Sequence, residues 1–239
     1  MNPDFTGKVV LVTGGTGGLG RSVSLAFLNS SATVAVTFRH KEEFVSLSVA
    51  AGQRAPSLRG FDVDVTDSKA MADLVKEILD EYGHLDVLVN TVGGYAGGTP
   101  LWQLEPDVFE RQLDLNLRAT YALAKAVAPA MIARKSGANV NVASKAAWDH
   151  AAGASAYAAS KAAAVALIDS LAADLLGTGV RANSVLPSII DTPANRSAMP
   201  KADFSKWPKP EDIASVILFL ASDDARVIHG ASVPVFGNQ

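Results

Sequence analysis

Val9-Val-Leu-Val-Thr-Gly-Gly-Thr-Gly-Gly-Leu-Gly20 is the stretch that decides the fold of this 239-residue chain. Its β-branched first half is typical of a buried strand, and the residues after Gly20 have the apolar spacing of a helix. A glycine-rich turn between a strand and a helix presents free N–H groups and the positive end of the helix dipole. The stretch therefore predicts a phosphate-binding turn directly after the first strand.

Strand-like and helix-like segments alternate along the rest of the chain. This order predicts βαβ crossovers and an α/β fold of the Rossmann type. We expect a single domain over residues 1–239, with a doubly wound parallel sheet of about seven strands and helices on both faces. The predicted strands lie near 8–13, 33–38, 58–62, 86–90, 138–143, 180–186 and 232–236. The predicted helices lie near 18–30, 41–51, 67–82, 105–134, 155–177 and 210–221.

One long segment, from Pro187 to Pro208, has four prolines and no clear period. A loop of this length in a compact domain is usually functional or disordered. It follows the end of a predicted strand, which is where ligands bind in open α/β sheets. We therefore interpret residues 187–209 as a lid over a substrate.

Four polar residues in the second half of the chain form a candidate catalytic group: Asn116, Ser144, Tyr157 and Lys161. Tyr157 and Lys161 are four residues apart in an alanine-rich predicted helix, so their side chains share one face. A nearby ammonium stabilises a phenolate, so the lysine is expected to lower the tyrosine pKa from about 10 toward the operating pH. Each residue alone also has an ordinary structural interpretation, such as a capping serine or an asparagine bonded to backbone.

The glycine pattern Thr13-Gly14-x-x-x-Gly18-x-Gly20 and these four residues together resemble the short-chain dehydrogenase/reductase family. The agreement in order and spacing covers essentially the whole chain. The resemblance implies hydride transfer between a nicotinamide cofactor and a carbonyl or alcohol substrate. Tyr157 would donate the proton in reduction, and Lys161 would lower its pKa and bind the nicotinamide ribose. Ser144 would position the carbonyl, and Asn116 would hold a proton-relaying water.

The resemblance also implies a set of cofactor contacts spread over four segments of the chain. Two of those segments depart from the family pattern. The usual Asn-Asn-Ala-Gly reads Asn90-Thr-Val-Gly93, and Ser188 replaces a glycine. The implied contacts are Thr13, Gly14, Gly15, Thr16, Gly18, Leu19, Gly20, Asp64, Val65, Asn90, Gly93, Pro187, Ile190 and Thr192.

The end of the second predicted strand indicates which cofactor is used. An NAD-type site carries an acidic residue about 20 residues beyond the glycines, bonded to the ribose 2′-hydroxyl. Here the strand runs into Phe38-Arg39-His40-Lys41, with two cations and no carboxylate. Because a guanidinium grips phosphate in a bidentate manner, we expect NADP(H) to be preferred, with Arg39 on the 2′-phosphate and NAD(H) still possible. The alternative is a solvated basic patch.

Several functions stay open within this resemblance. The segments Val92–Gly98 and Leu186–Trp207 resemble dihydropteridine reductases of the same family. Those reductases typically lack the catalytic serine and carry an aspartate where Phe38 stands. We therefore favour a general carbonyl reductase or alcohol dehydrogenase, with pterin reduction as the alternative. Reduction of a 3-oxoacyl group on a carrier protein and a non-catalytic NADP(H) sensor are further alternatives.

Composition narrows the range of functions and cellular locations that the chain could have. Without cysteine, neither disulfides nor thiolate chemistry is possible. A net charge of −3 without a basic block argues against nucleic-acid binding, and four scattered histidines argue against a metal site. The N-terminus lacks the pattern of a signal peptide and no apolar run approaches the length needed to cross a bilayer, so a cytoplasmic location without membrane association is expected. The family resemblance implies a homo-oligomer, either a tetramer or a dimer.

Overall fold

Seven parallel strands form one sheet in the order β3-β2-β1-β4-β5-β6-β7 in the computed structural model, which describes residues 3–238. This confirms the Rossmann-type sheet and the single domain expected from the sequence. The strands are β1 (Val9–Thr13), β2 (Thr33–Phe38), β3 (Leu58–Asp62), β4 (Val87–Asn90), β5 (Gly137–Val142), β6 (Val180–Pro187) and β7 (Ser232–Val235). The α-helices are α1 (Gly20–Asn29), α2 (Lys41–Ala51), α3 (Ser68–Tyr82), α4 (Pro106–Leu113), α5 (Ala119–Arg134), α6 (Ser155–Asp174), α7 (Pro193–Ala198) and α8 (Pro210–Ala221).

Strand β1 lies at the centre of two hydrophobic cores, one on each face of the sheet. Val10 and Val12 point to the face covered by α1, α2 and α8, whereas Val9 and Leu11 point to the face covered by α3, α5 and α6. All four side chains are buried, which explains the uninterrupted apolar run in the sequence. The strand order reverses between β1 and β4, so a crevice opens at their carboxyl ends.

The predicted helix over 105–134 is interrupted. Its middle, Asp114–Arg118, is a π-helical turn between α4 and α5. The Asn116 side chain bonds the backbone of Gly94 from this wider turn, and the Asn116 carbonyl accepts a hydrogen bond from Thr120 Oγ1 at 2.9 Å. Hydrophobic periodicity does not reveal a single extra residue in a turn, so the sequence predicts a continuous helix.

Three other expectations need correction. Residues 187–208 are not wholly irregular, because they contain α7 and a short 3-10 turn at Phe204–Lys206. Helix α6 ends at Asp174 rather than near 177, and by length and composition it could span a membrane, contrary to the expectation that no segment could. Its residues Ala164 and Ile168 are buried inside the domain, and a core helix of a soluble protein meets the same criteria.

Replacing Phe27 by alanine is expected to lower the free energy of unfolding by about 3–5 kcal/mol, because it removes a fully buried ring and leaves a cavity. Phe27 of α1 packs edge-on against Phe5 with ring centroids 4.8 Å apart. Urea denaturation measures the change. The control is Val49→Ala on α2, where the side chain is 77% exposed and the expected change is within about 0.5 kcal/mol. Equal changes in the two variants would contradict the described core.

Candidate active site

A cavity of about 560 Å³ opens at the carboxyl ends of β1, β2 and β4. Its walls come from the glycine turn, the residues after β2, the segment after β4 and the beginning of α7. Most of the sequence-predicted cofactor residues line it, namely Gly14, Thr16, Gly18, Leu19, Gly20, Arg39, Val65, Gly93, Ile190 and Thr192.

The glycine turn is shaped by close backbone approach. A Cβ atom on Gly20 would lie 2.0 Å from the carbonyl oxygen of Gly14, and one on Gly18 would lie 2.9 Å from Thr192 Cγ2. The first helical hydrogen bond runs from the Arg21 N–H to the Gly17 carbonyl at 2.9 Å. The N–H groups just before Arg21 therefore precede the helical hydrogen bonds and can bind an anion. A cradle of this shape fits the phosphates of a nicotinamide dinucleotide.

Thr13, Gly15 and Asn90 do not line the cavity but lie beneath it. Thr13 Oγ1 donates to Asn90 Oδ1 at 2.8 Å, and Asn90 Nδ2 donates to Thr120 Oγ1 at 3.0 Å and to Asn141 Oδ1 at 3.1 Å. A Cβ on Gly15 would lie 2.6 Å from Val36. These residues join the ends of β1, β4 and β5 below the crevice.

Asp64 and Pro187 also lie outside the cavity lining. Asp64 Oδ1 accepts hydrogen bonds from the Thr66 N–H at 2.9 Å and from Thr66 Oγ1 at 2.7 Å. These bonds, with a smaller contribution from the positive charge of Arg39, lower the pKa of the Asp64 carboxyl. Pro187 is the last residue of β6 and pairs with Val235 of β7.

Lys161 and Asn116 meet beside Gly93 at one end of the cavity. A Cβ on Gly93 would lie 2.8 Å from Lys161 Nζ and 2.9 Å from Asn116 Oδ1, so only glycine leaves room for both groups. Lys161 Nζ donates to the Val142 carbonyl at 3.1 Å. Burial lowers the pKa of Lys161 to about 8, because removal from water disfavours the charged form.

Asn116 is held on all sides by protein groups. Its Oδ1 accepts from the Gly94 N–H at 3.0 Å, and its Nδ2 lies within hydrogen-bond distance of the Gly94 carbonyl (3.0 Å), Gln112 Oε1 (3.2 Å) and Ser160 Oγ (3.1 Å). Ser160 Oγ in turn donates to the Tyr157 carbonyl at 2.8 Å. The asparagine therefore connects the segment after β4 to the helix that carries the tyrosine and lysine.

Tyr157 is half-buried and its hydroxyl is close to Ser144. Burial raises the pKa of Tyr157, which outweighs the opposite effect of the hydrogen bond with Ser144. The expectation that Lys161 lowers this pKa is thus wrong for the structure described, because desolvation dominates. Ser144 Oγ accepts from the Ala146 N–H at 3.1 Å, which leaves its own hydrogen free to donate. The ring of Tyr95 packs edge-on against Tyr157 with centroids 5.0 Å apart.

Comparison with known proteins decides the family. The model of the short chain dehydrogenase family matches residues 8–203. The chain belongs to this family. It is 31% identical to a 3-oxoacyl-[acyl-carrier-protein] reductase of Thermotoga maritima, with 97% of each chain covered. It is also 33% identical to a D-threitol dehydrogenase of Mycolicibacterium smegmatis, over 97% of this chain and 92% of the other.

Solved structures agree with this short-chain dehydrogenase assignment. A structure of ElxO with NADP bound superposes with a TM-score of 0.91 and 27% identity, covering 96% of this chain and 97% of the other. An NAD⁺-bound xylitol dehydrogenase superposes with a TM-score of 0.89 and 25% identity, covering 98% of this chain and 99% of the other. The protein is accordingly an NAD(P)-dependent oxidoreductase that acts on hydroxyl or carbonyl groups.

Some residues at the site of this short-chain dehydrogenase were not found from the sequence. Thr91 lines the cavity, and its Oγ1 donates to the Thr13 carbonyl at 2.7 Å. It stands where the family usually has a second asparagine, so that departure could have drawn attention to it. Glu43, Leu115 and Asn195 also line the cavity. They belong to elements distant in sequence, and no local motif singles them out.

Replacing Lys161 by methionine tests the burial of its charge. The lysine pKa is about 8 when folded and 10.5 in its ordinary state, so the unfolded chain binds more protons between these values. The cost of burying the charge is then full below pH 8 and disappears as the pH rises toward 10.5. The stability of the unaltered protein, relative to Lys161→Met, should rise by roughly 2 kcal/mol between pH 7.5 and 10. Urea denaturation over this range measures it, and parallel curves for the two proteins would contradict the burial.

Proposed function

We propose that this enzyme interconverts small-molecule carbonyls and alcohols with NADP(H) as the preferred cofactor. The observation that carries the proposal is the meeting of Lys161 and Asn116 at Gly93, a residue that lines the cavity. Tyr157 lies four residues before Lys161 on α6, and its hydroxyl is close to Ser144. Arg39 lines the same cavity at the end of β2.

The chemistry of the proposal divides between cofactor and protein. A nicotinamide cofactor supplies hydride in reduction and accepts it in oxidation. In reduction, Tyr157 donates its phenolic proton to the carbonyl oxygen, and a raised pKa keeps that proton in place at neutral pH. Ser144 donates a hydrogen bond to the same oxygen, since its Oγ accepts from the Ala146 N–H and lies close to the Tyr157 hydroxyl.

Lys161 is proposed to bind the nicotinamide ribose. With a pKa of about 8, it changes protonation within reach of neutral pH. Asn116 is proposed to hold a water that relays protons. The π-helical turn supports this proposal, because Asn116 lies on that turn and beside Lys161. Wider turns of this kind occur frequently at functional sites.

The adenosine end of the cofactor is proposed to lie against Arg39. Arg39 is exposed and follows the last residue of β2, and the structure describes no salt bridge to it within residues 3–238. The aromatic ring of Phe38, where NAD-selective relatives typically carry an acidic residue, stacks on Phe44 at 5.0 Å instead. A cation without a neighbouring β2 carboxylate supports a 2′-phosphate.

Residues 187–209 are proposed to cover the substrate. The two ends of the segment are joined by the Asp191 N–H, which donates to the Pro208 carbonyl at 3.0 Å. Inside the segment Arg196 pairs with Asp191 and lies over the ring of Phe204 at 4.9 Å. Asn195 lines the cofactor cavity, so the segment adjoins the site it would cover.

We also propose a cytoplasmic homo-oligomer, a tetramer or a dimer. Within residues 3–238, strand β7 pairs only with β6, so one of its edges is open, and an open edge invites pairing with a second copy. On α5 the side chains of Tyr121 and Ile132 are 47% and 41% exposed. Exposed apolar groups of this size on a long helix support packing between copies.

A second candidate is reduction of a 3-oxoacyl group linked to a carrier protein. The relatives from Thermotoga maritima and Vibrio harveyi, each 31% identical, carry that activity in their names. Lys201, Lys206 and Lys209 on the proposed lid offer cations to an acidic carrier. A substrate screen should therefore compare a carrier-linked 3-oxoacyl thioester with the free thioester and with simple ketones.

Replacing Arg39 by alanine is expected to weaken NADPH binding by about 10-fold or more, because a charge-assisted phosphate contact is lost. NADH binding should change by less than about threefold. Fluorescence titration of the purified protein gives both dissociation constants. Lys41→Ala is the matched control, since this nearby cation does not line the cavity. Equal loss of NADPH and NADH binding in Arg39→Ala would contradict the 2′-phosphate contact.

Replacing Tyr157 by phenylalanine is expected to lower kcat for carbonyl reduction by about 100- to 10,000-fold, since it removes the general acid. NADPH binding should stay within about twofold. The control is Tyr121→Phe on α5, which removes a hydroxyl that is remote in sequence and partly exposed. Undiminished turnover in Tyr157→Phe would refute the assigned role. NADPH binding without turnover of any carbonyl by the unaltered protein would favour a sensor.

A further inference from the structure

An exposed carboxylate, that of Glu43, lines the cavity together with Arg39. Thr16 Oγ1 on the glycine turn donates to Glu43 Oε2 at 2.8 Å, and both residues line the cavity together with Arg39 and His40. The contact joins the turn after β1 to the first turn of α2, two segments that are 27 residues apart. The carboxylate therefore faces the same space as the guanidinium of Arg39.

Packing of α2 holds Glu43 in this place. The Glu43 N–H donates to the His40 carbonyl at 3.1 Å. On the next residue, the ring of Phe44 stacks on Phe38 with an interplanar angle of 15°, and a Cβ on Gly60 would lie 2.4 Å from that ring. Leu47, one turn later, is fully buried. Because these contacts fix the helix, the backbone of Glu43 is held at the cavity wall, and the Thr16 hydroxyl orients its exposed side chain.

We propose that Glu43 is a specificity-determining residue whose negative charge opposes the 2′-phosphate of NADP(H). The inference rests on the proposed function, which places the adenosine end of the cofactor between the glycine turn and the end of β2. A 2′-phosphate beside Arg39 would share the cavity with the Glu43 carboxylate, and like charges a few ångströms apart repel each other. The Glu43 carboxylate also accepts the hydrogen bond of the Thr16 hydroxyl, a neutral donor that could otherwise bind the phosphate.

The preference for NADP(H) is then a difference between two opposed charges. Arg39 favours the 2′-phosphate, and Glu43 reduces the gain. NAD(H) carries a neutral 2′-hydroxyl, so the Glu43 charge acts on it far less. The enzyme is expected to accept both cofactors. Removal of the Glu43 charge should increase its preference for NADP(H).

The test is fluorescence titration of NADPH and NADH against the unaltered enzyme and Glu43→Gln. Glutamine removes the charge but keeps an oxygen that can accept from Thr16. NADPH should bind about 3- to 10-fold more tightly to Glu43→Gln, while NADH stays within about twofold. The NADPH gain should shrink as salt rises from 20 mM to 0.5 M, because a charge effect near the surface is screened. An unchanged NADPH dissociation constant would overturn the inference.

Glu42→Gln is the matched control, because it makes the same charge change one residue earlier on a side chain outside the cavity lining. An equal gain in NADPH affinity from Glu42→Gln would also overturn the inference, since the effect would then come from net charge alone. The same applies if NADH tightens as much as NADPH. Arg39→Ala is titrated alongside. If Arg39→Ala leaves NADPH binding unchanged but Glu43→Gln tightens it, the Arg39 contact fails while the role of Glu43 stands.

Discussion

The buried hydrogen bonds of Asn90 hold the centre of this enzyme together. One amide side chain joins Thr13 at the end of β1, Asn141 on β5 and Thr120 on α5, and its Oδ1 also accepts from the Val92 N–H at 3.2 Å. Polar groups this deeply buried are stable only when they find partners, so the network fixes how the strand ends are arranged. Through Thr120, which donates to the Asn116 carbonyl, the same network reaches the π-helical turn.

Residues 91–93, directly after β4, contact both the glycine turn and the Lys161–Asn116 pair. Gly93 lines the cofactor cavity, and its missing side chain leaves the space in which Lys161 and Asn116 meet. Thr91 bonds the carbonyl of Thr13 at the glycine turn. The glycine turn and the Lys161–Asn116 pair thus both contact residues 91–93. Their relative position follows from the hydrogen-bond network beneath them.

Much of this arrangement could be predicted from sequence, because it depends on local patterns. The Val9–Gly20 stretch carries the strand, the turn and the helix start in twelve consecutive residues, and the alternation that follows gives all seven strands. Tyr157 and Lys161 could be predicted as a pair because they stand four residues apart in an alanine-rich helix pattern. Three features depend on packing between distant segments and were missed. The π-helical turn needs the contact of Asn116 with Gly94, the raised pKa of Tyr157 comes from burial, and Glu43 reaches Thr16 only across two folded elements.

The strand order has a consequence for how the chain acquires its structure. β1 pairs on one side with β2, which follows it closely, but on the other side with β4, and the hydrogen bond from Thr13 to Asn90 spans 77 residues. Until β4 arrives, one edge of β1 exposes a row of unpaired backbone groups on a strand whose side chains are all apolar or buried. Such long-range parallel pairing is slow to form, and the unfinished edge is open to pairing with other chains in the meantime. The interior position that buries every residue of β1 in the finished sheet therefore leaves the strand open to aggregation during folding.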